Sequence, residues 1–569
     1  MLGYWVKWVR DGTWMANQLP CLHCDFTADE TGGGYFRWFN TFGFLSVLSL
    51  LLIIVTSLPI MRRRMYETFY FSHWTLFCAA VFFAILHWAQ ILWWLLPAGC
   101  IWFSSRAVSK WNGFHPVVVH DFTVERAIGS SGDGDDPEEQ VSVLGEQAAD
   151  EVVRIVLTRA APGMSPMARS YDYEVGQFVY LNVPFLSARQ WHPLTIASSP
   201  KTSATKLTLL VKPLGDWTTQ LVQYEAACRR EHVAPVMYVD GYYGGSLAGY
   251  DDYATLLLVG GGIGVTPLLA ILEDVAASVV SSGGRWTQRV EFVFAFREAS
   301  LFRIVAPLVA RLRDLDPQRQ YFRARLFATS GFSNEAMARR LEPKILVDLA
   351  ASYRPGADRE TTTSARRNLP TARPFYEPLR ASLTLRVTLF LVSYTVTGVM
   401  LAAVRWGNGW IQGNDRFELW PLERAFELAV FSSVGALVPF GFLWFERSRF
   451  VSGQALPATQ KLDESVMVTP TPTPLAPFVG GASAVLGADL HTVGDLLRFL
   501  DVAMGERPDM NAVLSEVLDS HLAASTVNHL LPTAGVFVSG PNALKTVTNA
   551  GVAALGSQHF DVHEEEFEL

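Results

Sequence analysis

His73 and His87 stand fourteen residues apart in a stretch without charged side chains. An ideal helix would separate them by about 21 Å along its axis and turn both imidazoles to one side. Ionisable residues inside a bilayer are costly and usually functional. Imidazole is a common axial ligand of haem iron, and two haems stacked across a membrane need this spacing. The plainer alternative is two interfacial histidines satisfied by water or backbone. Six-coordinate haems would need two more histidines on a neighbouring span. The other uncharged spans have none, and His23, His115 and His120 lie outside them. The sequence therefore predicts half of a bis-haem site.

A second group is His192, Pro193, Leu194 and Thr195, followed by Ser198. Lys212, Gly215, Trp217 and Thr218 come shortly after. A flavin needs a wall for its ring, hydroxyls for its ribityl chain, and a cation with backbone N–H groups for its pyrophosphate. Thr195, Ser198, Lys212 and Thr218 supply the polar part of that list.

The third group is Gly260, Gly261, Gly262, Gly264, Thr266 and Pro267, between an apolar strand and a helix. Glycines let a backbone approach a pyrophosphate at a helix N-terminus. The spacing is not G-x-G-x-x-G, and an ordinary strand-to-helix turn remains the alternative. Arg297 ends the next strand, where a ribose 2′-phosphate would lie, or is a solvated surface arginine. Ser539, Gly540 and Pro541 end the last strand-like run and are placed to face a nicotinamide.

These groups must be held by two kinds of structure. Of 569 residues, 50% are hydrophobic and only 18% charged, with 17 Trp and 36 Phe. Mean hydropathy is +0.20. That mixture excludes a disordered chain, a coiled coil or a collagen. The net charge of −8 argues against a nucleic-acid binder. Five cysteines make no disulfide framework. Cys21 and Cys24 form an isolated C-x-x-C, which reads as unremarkable or locally bridged rather than as a zinc site.

Trp38 to Met61 is free of charge over 24 residues, enough to span a bilayer. Thr68 to Ser105 is free of charge over 38, so it splits into two spans near Gln90 to Pro97. Val387 to Val404 and Leu428 to Phe445 give 18 uncharged residues each, as a span pair or as a buried hairpin. Arginines flanking these segments place the large polar regions in the cytoplasm and residues 1–37 outside. The opening residues resemble the tail of a preceding helix, which predicts further spans upstream.

The whole reads as a multi-domain membrane protein. It has an α-helical transmembrane part, an antiparallel β-barrel FAD domain, and an α/β nucleotide-binding domain interrupted by a transmembrane helix pair. The expected boundaries are 1–37 for a non-cytoplasmic segment, 38–111 for three spans, and 113–250 for the barrel. The nucleotide domain occupies 251–378 and 480–569. Between its parts lie the inserted pair, 379–450, and a Pro/Thr linker, 451–479. Residues 129–150 are an acidic, Gly/Ser-rich insertion in the barrel.

Together these residues resemble the ferric-chelate reductase and NADPH oxidase superfamily of membrane flavocytochromes b. Thr56 to Arg63, Tyr66, Glu67 and His73 are similar to its fourth-to-fifth helix junction. His73 and His87 match its fifth-helix haem ligands, and His192 to Thr195 its flavin motif. Gly260 to Pro267, Arg297 and Ser539 to Pro541 match its NADPH-binding parts. Phe567 resembles its near-terminal aromatic. Two departures are Tyr242 for the usual Pro and Ser539 for a frequent Cys. The partner histidines of a third helix are absent from the sequence. The inserted pair resembles the plant-type ferric reductase branch.

The resemblance implies FAD, NADPH and two haem b groups. Electrons would pass from cytoplasmic NADPH to ferric iron on the opposite side, with His73 at the inner haem and His87 at the outer. One alternative is a superoxide-producing NADPH oxidase, with oxygen as acceptor. Another is a haem-less truncated membrane flavoprotein or partner subunit. The implied partners are the lipid bilayer of a plasma membrane or endomembrane, and a partner subunit or a second copy lending the absent ligands.

Overall fold

In a computed structural model, the described residues are 2–21, 34–114, 116–126, 150–159, 173–203, 205–245, 247–330, 332, 334–341, 345, 383–407, 420–453, 490–524 and 531–565. They form two compact units. The first draws on Met1–Trp111 and Pro378–Gln460. The second draws on Asn112–Pro162, Ser170–Glu377 and Lys461–Leu569.

The first unit holds five long apolar helices. They are Gly34–Thr56, Tyr66–His87, Ile91–Asn112, Leu383–Trp406 and Trp420–Gly453, hereafter the first to fifth spans. Many of their apolar side chains are exposed, including Leu51, Ile54, Trp94, Ile101, Val399 and Leu437. Helices that face lipid have that character. The uncharged stretch from Thr68 breaks at Trp88, whose backbone is extended. Pro97 lies inside the third span, not at the break. It forfeits one backbone bond, a loss that membrane helices tolerate.

Polar and small residues join the spans, as expected where burying apolar surface gives no advantage over lipid. Ser46 Oγ donates to the Ala80 carbonyl at 2.9 Å, linking the first span to the second. Phe431 of the fifth span packs on Gly99 of the third, and Phe103 of the third on Gly435 of the fifth. Glu427 sits buried between Arg405 and Arg424, at 3.1 Å and 3.0 Å. The opening residues form a helix of nine residues, Leu2–Arg10, and a shorter one, Trp14–Gln18. Gln18 ties them to the first span by donating to the Asn40 carbonyl at 2.6 Å. Cys21 is disulfide-bonded.

In the second unit, β1 (Val119–Arg126), β2 (Glu151–Thr158) and β5 (Lys206–Val211) make one antiparallel sheet. A second consists of β4 (His192–Thr195), β3 (Phe178–Asn182) and β6 (Tyr238–Tyr243). The expected barrel is thus seen as two three-stranded sheets, joined by an isolated bridge between Ile196 and Leu209. Helix α1 (Asp216–Glu231) follows β5.

The remaining strands are all parallel. They are β7 (Thr255–Gly261), β8 (Arg289–Phe296), β9 (Phe322–Ala328), β10 (Val502–Met504), β11 (Ala534–Ser539) and β12 (Phe560–Glu565). Their order is β10-β9-β8-β7-β11-β12. Helices α2 (Thr266–Ser281) and α3 (Ala299–Leu315) connect β7, β8 and β9. The helical stretch Gly262–Ser281, which includes α2, is as long and apolar as a span, yet most of it is buried in the core beside this sheet. Successive strands step away from β7 on one side, and the chain then returns to its other side at β11. The β7–β11 boundary is therefore a topological switch point, where open α/β sheets bind ligands. The sequence suggested that the domain ended with β11. The edge strand β12 was hidden by its charged pattern, FDVHEE.

Buried polar contacts clamp the antiparallel sheets to the parallel one. Asp274 on α2 accepts from Lys201 Nζ at 2.6 Å and also from Ser199 and Tyr250. Glu273 accepts from the Ser199 N–H at 3.0 Å, and burial pushes its carboxyl pKa up. Arg303 on α3 pairs with Glu125 on β1 at 3.1 Å.

Candidate active site

Strand β7 ends in the glycine turn, and β11 beside it ends in Ser539, Gly540 and Pro541. The two turns meet backbone to backbone. A Cβ at Gly264 would stand 2.7 Å from Gly540 Cα and 2.8 Å from its nitrogen. A Cβ at Gly261 would stand 2.7 Å from Pro541 Cδ. Gly262 has φ +55°, a left-handed conformation that glycine adopts at no steric cost. Thr266 Oγ1 donates to the Ile263 carbonyl at 2.7 Å, and Pro267 follows at the start of α2. Proline suits that position because its missing N–H has no helical partner there.

Ser539 is fully buried, and its hydroxyl has no hydrogen-bond partner among the described residues. Leaving such a group unmet costs roughly 1–3 kcal/mol. A cradle of glycines with an orphaned hydroxyl at a switch point fits a nucleotide whose carboxamide or phosphates supply the missing partners. Arg297 lies one strand away, just past β8, exposed and with no ion-pair partner among the described residues.

The flavin candidates form a second cluster. His192 opens β4 and stacks on Trp217, with ring centroids 3.9 Å apart. His192 Nε2 and Trp217 Nε1 are both buried without a partner among the described residues. Two orphaned ring nitrogens side by side fit a ligand that carries hydrogen-bonding groups of its own. Pro193 is exposed, with Leu194 and Thr195 half-buried beside it. Thr218 Oγ1 accepts from the Gly215 N–H at 3.0 Å and from that of Leu214 at 2.9 Å, shaping the turn into α1.

Two residues occupy places that the sequence did not suggest. Ser198 Oγ accepts from the Thr208 N–H at 2.9 Å and meets the Tyr173 hydroxyl at 3.0 Å. It braces the loop from behind. Lys212 is ion-paired with Glu298 at the start of α3. Tyr173, Glu298 and Asp274 were not singled out in the sequence, because nothing in their local spacing reveals a partner far along the chain. Phe567 lies outside the described residues.

Burial holds the His192 imidazole below its usual pKa of about 6.5. The unfolded chain therefore binds the proton more readily. The associated stability is fully present above about pH 6.5 and is lost as pH falls through the depressed folded value. Thermal unfolding followed from pH 7.5 to 5 should show a falling midpoint. His192→Phe, which keeps the stack on Trp217, should flatten that part of the slope. An unchanged slope would remove His192 from this account.

In the first unit, His87 Nδ1 lies 2.8 Å from the Phe39 carbonyl. A carbonyl only accepts, so Nδ1 carries the hydrogen and Nε2 keeps its lone pair. That is the state a metal ligand needs, with its other nitrogen anchored. His73 Nδ1 lies 3.2 Å from Ser57 Oγ, a hydroxyl that can donate or accept, so either His73 tautomer suits this contact. Two imidazoles on one span fit residues that would hold two haems, one each. The described residues hold no group of three or more His, Cys, Asp or Glu that would form another metal site.

Residues 3–86 match the ferric reductase like transmembrane component. Residues 139–247 match an FAD-binding domain, and 253–374 the ferric reductase NAD binding domain. "Ferric reduction oxidase 8, mitochondrial" of Arabidopsis thaliana is 28% identical over 271 residues, 47% of this chain and 33% of that protein. "NADPH oxidase 1" of Mus musculus is 30% identical over 174 residues, 30% of this chain and 28% of that protein.

The chain belongs to the ferric reductase and NADPH oxidase superfamily.

This superfamily member carries FAD-binding and NAD-binding domains and is an integral membrane protein. The matches span about a third of the length of these curated relatives. A ferredoxin-NADP+ reductase from Plasmodium falciparum is similar over 38% of this chain and 72% of its own, at 11% identity and a TM-score of 0.26.

Proposed function

We propose that this superfamily member is an NADPH-dependent ferric-chelate reductase. Electrons would cross the membrane from cytoplasmic NADPH to ferric iron on the opposite face. The observation that carries this reading is the closed pair of glycine turns at the β7–β11 switch point, on the same chain as a span with two spaced histidines. When bound, FAD and haem b convert a two-electron hydride donor into single-electron transfers.

The chain's own residues hold and orient the parts. Gly260 to Gly264 and the N-terminus of α2 receive the nucleotide pyrophosphate, where backbone N–H groups and the helix dipole favour anions. Arg297 takes the 2′-phosphate. Ser539 Oγ and Gly540 N–H face the nicotinamide and fix its ring. His192 and Trp217 wall the flavin, while Thr195 and the Gly215 to Thr218 turn lie along it. His73 and His87 would each hold a haem iron, His87 through the nitrogen not anchored to the Phe39 carbonyl. A disulfide at Cys21 suits an oxidising compartment, which supports an outer location for residues before the first span.

Ferric iron is favoured as acceptor by the inserted span pair and by the several matched relatives named ferric reduction oxidases. A superoxide-producing oxidase is the second reading, favoured by the match to NADPH oxidase 1. The two separate in membranes supplied with NADPH. Ferrous capture by a chromogenic chelator that superoxide dismutase does not suppress is expected. Reduction abolished by superoxide dismutase would establish the oxidase instead.

A further inference from the structure

Arg297 and Glu298 stand together past β8, and general principles assign them opposite preferences. An arginine there accommodates a 2′-phosphate, whereas an acidic residue accepts from the ribose 2′-hydroxyl and repels the phosphate. Arg297 favours NADPH, and Glu298 beside it would oppose the phosphate if its charge were left unpaired.

We infer that Lys212 sets the preference by drawing Glu298 into an ion pair and leaving Arg297 as the charge that meets the ribose. The inference rests on the nucleotide-site reading above. Lys212 comes from the end of β5 in the antiparallel part, and Glu298 precedes the first turn of α3. Their side chains are only 16% and 15% exposed, so the pair is largely shielded from solvent. Arg297 is exposed. The N-terminus of α3 is not available to the phosphate. Asp150 already accepts from the Ala299 and Ser300 N–H groups, at 3.0 Å and 2.9 Å. Recognition of the 2′-phosphate thus falls to side-chain charge. With Lys212 in place, Glu298 is neutralised, and Arg297, Lys212, Glu298 and Asp150 together sum to zero. Without Lys212 the sum is −1, and the Glu298 carboxylate is free to turn to the ribose.

The test is equilibrium binding of 2′,5′-ADP and of 5′-AMP to the purified full chain, with flavin absorbance recorded in parallel. The wild type is expected to prefer 2′,5′-ADP. Lys212→Met, which keeps the aliphatic stem, should lower 2′,5′-ADP affinity by about tenfold or more while leaving 5′-AMP binding unchanged. Lys212→Met with Glu298→Gln should recover most of that loss, and Glu298→Gln alone should bind 2′,5′-ADP at least as well as the wild type. A double variant as weak as Lys212→Met would overturn the inference, since Lys212 would then contact the phosphate itself. Loss of flavin with unchanged 2′,5′-ADP binding would also overturn it, because Lys212 would then serve the flavin pyrophosphate. A wild type that binds neither nucleotide would sink the nucleotide-site reading as well, which distinguishes the two failures.

Discussion

His87→Leu is expected to remove one b-type haem signal from membranes containing the full chain. It should also cut reduction of a trapped, impermeant ferric chelate by at least about 100-fold, some 2.7 kcal/mol in barrier terms. The argument runs through the Phe39 carbonyl. It fixes the protonated nitrogen of His87 and turns the other outward as a ligand. Leucine fills a similar volume and keeps the span apolar, so the change tests ligation more than packing. NADPH-dependent reduction of a soluble dye on the cytoplasmic side should persist, because that reaction uses only the second unit. His73→Leu should remove the other signal. If neither variant changes the haem spectrum, these histidines are interfacial residues and nothing more.

Gly264→Ala carries the second large effect. Its Cβ would lie under 3 Å from two backbone atoms of Gly540, so no side-chain rotation relieves the contact. One of the two turns must retreat, which misplaces both the pyrophosphate cradle and Ser539. NADPH oxidation should fall at least about 100-fold, since small displacements of bound reactants cost that much. Flavin absorbance should remain, because His192 and Trp217 lie in the antiparallel part. Gly245→Ala is the control: nothing lies within 4 Å of its Cβ, and activity should be unchanged. Full activity in Gly264→Ala would show that the turns do not form the nucleotide site.

The spans and the β7–α2–β8 unit were legible in the sequence because they depend on local pattern. Absence of charge over a bilayer's width, or an apolar strand followed by glycines and Thr-Pro, carries its meaning within a short window. The break at Trp88 to Gln90 meets the near edge of the expected Gln90 to Pro97 window, and Pro97 itself lies inside the third span, since a membrane helix absorbs a proline that a soluble helix would not. Ser198 and Lys212 were read from the sequence as groups for a flavin, and the protein partners they have in the structure were not legible there. Tyr173, Thr208 and Glu298 are brought to them by sheet pairing and domain packing. The edge strand β12 was missed because an edge strand with charges at alternate positions reads as a polar tail.

The central claim is that electrons given by NADPH on one side of the membrane appear on the other. Its most direct test uses the full chain in sealed proteoliposomes, with haem supplied during expression, an impermeant ferric chelate trapped inside, and NADPH added outside. The account predicts ferrous iron inside at a rate that depends on NADPH and on His87. Reduction confined to acceptors on the NADPH side, with none of the trapped iron reduced, would contradict it and leave a membrane-anchored flavin enzyme.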